Sequence, residues 1–251
     1  MKKYDIGTIH ETKQGCKLKI IKDISNTRKK IMFLDDFGYI TETPTTSILA
    51  GSIKNPYHPT LLGKGYLGEG IYTSKDLHYK IWKEVLKKVY HENRKSLGNF
   101  KKVKVSKDWH NYQNFANDIS LMYGFTLKDE NGDFYCLNES ILSKDKRVFS
   151  NKTCLFVPPR INKFLSQNKK KDGGLPTGVK YRHQDRRYEA RMRVDGKSFY
   201  LGSCLTIEMA REFYVKARNK RARYLAEAYR GKVDPRVITF LENYNEDNYS
   251  K

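Results

Sequence analysis

Four basic side chains, Lys180, Arg182, Arg191 and Arg193, recur two residues apart within the alternating stretches GVKYR and YEARMRV. Alternation of this kind is the signature of a strand with one buried face, and it repeats in KSFYLG. One face then carries Val179, Tyr181, Ala190, Met192, Val194, Phe199 and Leu201, and the other carries Lys180, Arg182, Arg191, Arg193, Ser198 and Tyr200. Arg186 and Arg187 in the first connection and Lys197 at the start of the third strand extend the charge. A solvated surface accounts for scattered charges, but these are concentrated. Residues 163–232 hold 19 Lys and Arg against 7 Asp and Glu, a surplus of 12 within a whole-chain charge of +21. Like charges crowded on a small sheet repel one another unless a polyanion neutralises them, and a guanidinium both pairs with phosphate and reads guanine edges. The chemistry implied is nucleic-acid binding.

Local signals position these side chains. Asp195-Gly196 is a two-residue hairpin connection, because a tight primed turn needs positive φ and Gly supplies it at little cost. Thr206 reads as a helix N-cap with Glu208 in the first turn, and Ala210, Phe213 and Ala217 recur on a helical face able to cover the sheet.

The order Gly178-Val179, Tyr188-Glu189-Ala190-Arg191-Met192-Arg193, Phe199-Tyr200-Leu201-Gly202 and a Thr-led helix resembles the ethylene-response-factor (Apetala-type) DNA-binding domain over about 50 residues. The resemblance implies a three-stranded sheet lying in the major groove, with Lys180, Arg182, Arg191, Arg193 and Tyr200 as the readers. The sequence departs from the plant pattern in two places. His183-Gln184-Asp185-Arg186-Arg187 replaces a Pro-Trp-Gly turn, and Arg191 stands where the family has a glutamate, so the plant target site is not implied.

A second set of candidates lies in the middle of the chain. Trp82, Val85, Leu86 and Val89 fall at helical spacing after Tyr79. Ser106 is expected to cap a second helix through Trp109, Tyr112, Phe115 and Ile119. Strand-like pieces surround Phe134–Leu137 and Cys154–Val157, and Pro158-Pro159 start a short helix through Ile161, Phe164 and Leu165. Over residues 66–165, the runs YKIWKEVLKKVY, KVSKDWHNYQNFAND, LNESIL and VFSNKTCLFVPPRIN are similar to the HNH (His-Me finger) endonuclease modules of bacteriophage homing-type proteins, including those fused to an ethylene-response-factor domain. The resemblance implies a ββα scaffold holding one divalent metal beside a general base. Where LNESIL stands, the family reads Leu-Asp-Lys-Asp-Ile-Leu, so Asn138 and Ser140 occupy the two carboxylate positions. Thr153 and Asn162 match the later hairpin and helix positions. An amide and a hydroxyl substitute poorly for anionic oxygens around a hard cation. The site therefore reads as degenerate, with His110, Asn138, Glu139, Ser140 and Asn162 as its remnants and no metal set. Mg²⁺ enters only under the alternative of a working nuclease. His110, between Trp109 and Tyr112, reads as a structural histidine, and Glu139 is expected on the opposite side of its strand from Asn138 and Ser140.

The remaining chain is a setting for these two blocks. Residues 1–60 read as a β-rich module forming a small twisted sheet or barrel, with His10, Asp35 and Asp36 as turn and surface residues. The Gly- and Pro-rich stretch from Gly51 to Gly70 is a connection without a phosphate-loop motif. Residues 166–176 form a basic linker whose Lys169, Lys170 and Lys171 can follow a DNA backbone. A tail, 233–251, carries a short apolar element and a polar end expected to fray. Four widely spaced cysteines give no zinc knuckle or disulfide framework. No apolar run is long enough for a membrane span or signal region, so the expectation is a cytoplasmic protein, in the host cytoplasm or nucleoid if phage-encoded.

These readings combine into an α+β chain: an N-terminal β module, a degenerate HNH-like ββα middle (66–165), and a three-stranded antiparallel sheet packed on one helix (177–232). The leading function is double-stranded DNA binding without nuclease activity. An active metal-dependent HNH endonuclease, or a protein that uses its basic surface on RNA or an acidic host protein, are the alternatives. No membrane partner is expected.

Overall fold

The computed structural model describes residues 5–91, 103–143, 148–166 and 174–249. The chain is α+β and divides by internal contacts into two units, Met1–Asp118 and Ile119–Lys251.

The first unit begins with an antiparallel sheet in the order β1 (Ile9–Glu11), β2 (Lys17–Asp23), β3 (Arg28–Phe33) and β4 (Ile40–Pro44), followed by a short helix α1 (Thr45–Leu49). Alternation in CKLKIIKDI and KKIMF places Leu18, Ile20, Ile31 and Phe33 on one face, where Ile48 of α1 completes the core. The expected β-rich module is thus an open four-stranded sheet. Asp35 accepts from the backbone N–H groups of Phe37 and Gly38 at 3.1 and 3.0 Å, as a turn residue does.

Helix α2 (Leu77–Tyr90) buries Trp82, Val85, Leu86 and Val89, the four positions its periodicity singles out. The connection before it comes close because it is rich in glycine. A Cβ on Gly65 would stand 2.4 Å from Leu86 Cδ1 and 2.8 Å from Trp82 Cζ2. A two-residue strand β5 (Lys104–Val105) follows, then a 3₁₀ turn (Lys107–His110) and α3 (Tyr112–Ser120). The sequence suggested one helix capped by the Ser106 side chain. Instead Ser106 makes no side-chain cap bond, and extended backbone at Asn111 separates two pieces. Trp82 Nε1 donates to Trp109 O at 2.7 Å and Trp109 Nε1 to Asp118 at 2.7 Å, so both buried indoles are satisfied.

In the second unit, β6 (Cys136–Asn138) and β8 (Leu155–Val157) pair antiparallel, with the short β7 (Val148–Phe149) between them in sequence. Helix α4 (Pro159–Leu165) starts directly after β8, with Pro159 at its first turn. The sheet β9 (Val179–Arg182), β10 (Arg187–Val194) and β11 (Lys197–Cys204) has the order β11-β10-β9, both pairs antiparallel. It is backed by α5 (Ile207–Ala228), and α6 (Pro235–Glu242) and α7 (Glu246–Tyr249) follow.

Helix α5 lies close on the sheet because small residues meet there. Ala190 and Ala210 are fully buried with Val179 at the contact. Gly178 (φ +83°) lies under the Tyr214 ring and Gly202 (φ +151°) under Phe213. A Cβ at either position would fall 1.9 or 2.6 Å from ring carbons. The buried stripe of α5 is Ala210, Tyr214, Arg218, Ala222, Leu225 and Ala226. This corrects the expected stripe: Phe213 is more than one-third exposed, and Tyr214 takes the buried place because one helical residue turns the face by about 100°. Thr206 caps α5 as its type suggests, its side chain accepting from Met209 N at 3.3 Å.

The C-terminal residues are a second correction, because the polar end is folded as far as Tyr249. Arg218 of α5 is 3% exposed. Its Nε donates to Glu246 Oε2 at 2.9 Å, and one terminal nitrogen donates to Phe164 O and to Tyr244 Oη, each at 3.0 Å. Its guanidinium stacks 3.8 Å from the Phe164 ring centroid. Glu246 is equally buried and accepts from the Tyr244 hydroxyl at 2.6 Å. Burial works against the charge, but Tyr244, Tyr214 and Glu246 outweigh it and raise the Arg218 pKa. A polar sequence can therefore be held as firmly as an apolar one, provided each buried charge is paired.

Candidate nucleic-acid interface

The hairpin of β10 and β11 is set by Asp195 (φ +49°) and Gly196 (φ +85°), two consecutive left-handed residues as a primed turn requires. Arg191 then pairs with Tyr200 and Arg193 with Ser198 across the strands, while Lys180 pairs with Glu189 and Arg182 with Arg187. Paired residues share a face, so Lys180, Arg182, Arg187, Arg191, Arg193, Ser198 and Tyr200 stand together on the side away from α5. All of them are exposed. A register shift at Ala190/Arg191 leaves Leu201 unopposed and bends the sheet without changing that grouping.

Two predicted site residues fall elsewhere. Lys197 pairs with Val194, which puts it on the opposite face at the hairpin end. Arg186 sits in the β9–β10 turn with φ +50°. Phe199, assigned to the covered face, does pair with Met192 there but is 47% exposed, because it lies near the hairpin end. Lys169, Lys170 and Lys171 lie outside the described residues.

The face contains one acid that the basic pattern obscured. Glu189 is 4% exposed, and Arg191 Nε and Nη2 reach its Oε1 at 2.9 and 2.8 Å. The Glu189 hydrogen bond and charge raise the Arg191 pKa. The Arg191 guanidinium also lies 5.9 Å from the Tyr200 ring centroid. Arg191 is therefore an oriented cation. Arg182 is paired more loosely, 3.3 Å from Asp185.

In the middle block, the structure brings three of the five candidates together. Asn138 Nδ2 donates to Asn162 Oδ1 at 2.9 Å, and Ser140 N and Oγ both donate to Asn138 Oδ1 at 2.9 and 3.0 Å. The Tyr249 hydroxyl reaches Ser140 Oγ at 3.1 Å. Asn138 ends its strand, so Ser140 lies in the following turn, folded back on Asn138. The alternation argument that set Glu139 opposite both residues does not apply there. Glu139 is itself buried, and its backbone carbonyl accepts from Ser143 Oγ. His110 belongs to the first unit. Its Nε2 is 2.8 Å from the Tyr90 hydroxyl, and burial followed by the charge of Lys64 lowers its pKa.

The oxygens brought together by Asn138, Ser140 and Asn162 are two amide oxygens, which already accept hydrogen bonds, and one hydroxyl. This donor set does not fit a hard divalent ion, which favours anionic carboxylate oxygens. Among the described residues, no group of three or more His, Cys, Asp or Glu is placed to hold a metal. Cys16, Cys136, Cys154 and Cys204 are free thiols. No helix among the described residues is long and apolar enough to cross a membrane.

Comparison of the chain with protein-family models, with curated proteins and with solved structures finds no match.

Proposed function

We propose that this protein binds double-stranded DNA through the β9–β11 sheet, on an architecture derived from phage homing-endonuclease-like proteins and without nuclease activity. The observation that carries the reading is the shared exposed face of Lys180, Arg182, Arg187, Arg191, Arg193 and Tyr200 on a helix-backed sheet. A two-stranded or three-stranded β element fits the major groove of B-form DNA, and arginines projecting from it reach both phosphates and base edges. The similarity to the ethylene-response-factor pattern points the same way, and the β6–β8–α4 arrangement supports the HNH-like ancestry. The amide and hydroxyl donor set at Asn138, Ser140 and Asn162 favours binding over cleavage. The compartment that suits such a protein is the cytoplasm or nucleoid of a host cell.

A titration of purified protein against a pool of duplex oligonucleotides at several salt concentrations tests the reading. Binding with a log–log salt slope of roughly −0.9 per neutralised phosphate is expected. Failure to bind any duplex at low salt rejects it.

A further inference from the structure

At the tip of the hairpin, the sheet meets two helices around a cleft of about 80 Å³. Its lining includes Arg160 and Lys163 from α4, Arg193 from β10 and Arg221 from α5, with one acid, Asp195, among them. Asp195 Oδ2 accepts from Arg160 Nη2 at 2.6 Å and Nε at 3.2 Å, and from Arg221 at 3.3 Å. The Arg160 hydrogen bond is the main reason the Asp195 carboxyl is held below its ordinary range, with Arg221 and Lys163 adding to it. Arg221 is in turn lowered, first by burial and then by repulsion from Arg160. Two guanidiniums from different helices therefore converge on one turn carboxylate, with further cations beside it.

We propose that this cleft is a second contact for the DNA backbone, in which a phosphate of the duplex replaces Asp195 as the partner of Arg160 and Arg221. The proposal rests on the DNA-binding reading of the adjacent sheet. Three features support it. A phosphate offers more acceptor oxygens than one carboxylate oxygen and suits paired guanidiniums. The cleft admits groups of that size. Arg193 lines the cleft and also belongs to the exposed sheet face, so the cleft is next to the proposed DNA-binding face at the hairpin end. In this arrangement α4, which the HNH-like block contributes, serves as a phosphate clamp for the sheet.

The test compares duplex affinity and salt slope for the full chain and four variants. Arg160→Gln with Lys163→Gln is expected to flatten the slope by about 0.9, the value for one phosphate, and Lys163→Gln alone, which leaves the Asp195 ion pairs intact, by a smaller amount. Asp195→Asn keeps the turn, since Asn tolerates left-handed backbone, and is expected to tighten binding about fivefold by removing a like charge near the phosphate. Unchanged slopes with weaker binding in Asp195→Asn would show the cluster to be structural and overturn the clamp. Arg191→Ala separates the two ideas. If it weakens binding while the cleft variants do not, the clamp alone fails. If no variant and no parent protein binds duplex, the DNA reading fails and the clamp with it.

Discussion

The Arg191 guanidinium is held against the buried carboxylate of Glu189, with Nε 2.9 Å and Nη2 2.8 Å from the same oxygen. A cation fixed in this way presents its remaining N–H groups in a set direction, which favours bidentate recognition over diffuse attraction. If the sheet binds DNA as proposed, Glu189 and DNA share Arg191, so specificity and affinity respond differently to the pair. Glu189→Gln should raise binding to unrelated duplexes while narrowing the gap to the preferred site. Parallel titrations of the preferred and scrambled duplexes check this, and an unchanged ratio would mean that the pairing does not orient the reader.

Changing Arg191 and Arg193 together to Ala should weaken duplex binding by about thirtyfold or more, since each good base contact discriminates by roughly 1–3 kcal/mol. Fluorescence anisotropy with a labelled duplex measures it. Retained affinity with an intact circular dichroism spectrum would remove these residues from the interface.

Duplex DNA should compete better than duplex RNA of equal length at equal salt. The A-form major groove is too narrow for side chains on a sheet to read, while the B-form groove admits a β-ribbon. Stronger binding to RNA would favour the alternative of an RNA partner.

Arg218→Ala should destabilise the second unit by about 3–5 kcal/mol, because Glu246 would be left charged in a buried setting. Urea unfolding monitored by tyrosine fluorescence reports the loss. A change below about 1 kcal/mol would show that solvent reaches Glu246 more readily than its burial indicates.

His110 and His78 both have depressed pKa values, in each case chiefly through burial. The unfolded chain therefore binds protons that the folded chain resists. Their stabilising contribution is complete above the ordinary histidine range near 6.5 and declines as pH falls through the lower folded values. Thermal melts from pH 7.5 to 5.0 should show falling stability, and the fall should be shallower in His110→Gln. An identical pH profile in the variant would remove His110 as a cause.

Plasmid DNA incubated with the protein in Mg²⁺ or Mn²⁺ should remain uncut. The double change Asn138→Asp with Ser140→Asp should raise metal affinity measurably by calorimetry, since it restores two anionic oxygens beside Asn162. Metal-dependent cleavage by the parent protein, lost in His110→Ala or Glu139→Ala, would instead establish the endonuclease alternative.

What the sequence made legible was local. The β9–β11 alternation, the Asp195-Gly196 turn, the Thr206 cap and the buried side of α2 each depend on neighbours a few residues apart, and all four are observed. The Tyr214 stripe is not legible in the sequence because a single residue of rotation separates it from Phe213, and each ring lies over a sheet glycine, Gly178 or Gly202. The type of Ser140 does not announce that the backbone turns after Asn138. The folding of residues 243–249 was invisible for a different reason. NYNEDNYSK has no apolar period, and the partner that holds Glu246 is an arginine 28 residues earlier. Arg160 and Arg221 were likewise unremarkable charges until the fold set them on one carboxylate 35 and 26 residues away.

Ribosomal synthesis proceeds from the N-terminus, and this gives the Arg218–Glu246 pair a bearing on timing. The three strands and α5 are complete in the growing chain before Glu246 has been added. Until then, a guanidinium destined for the interior lacks its carboxylate, and docking α5 against α4 is penalised.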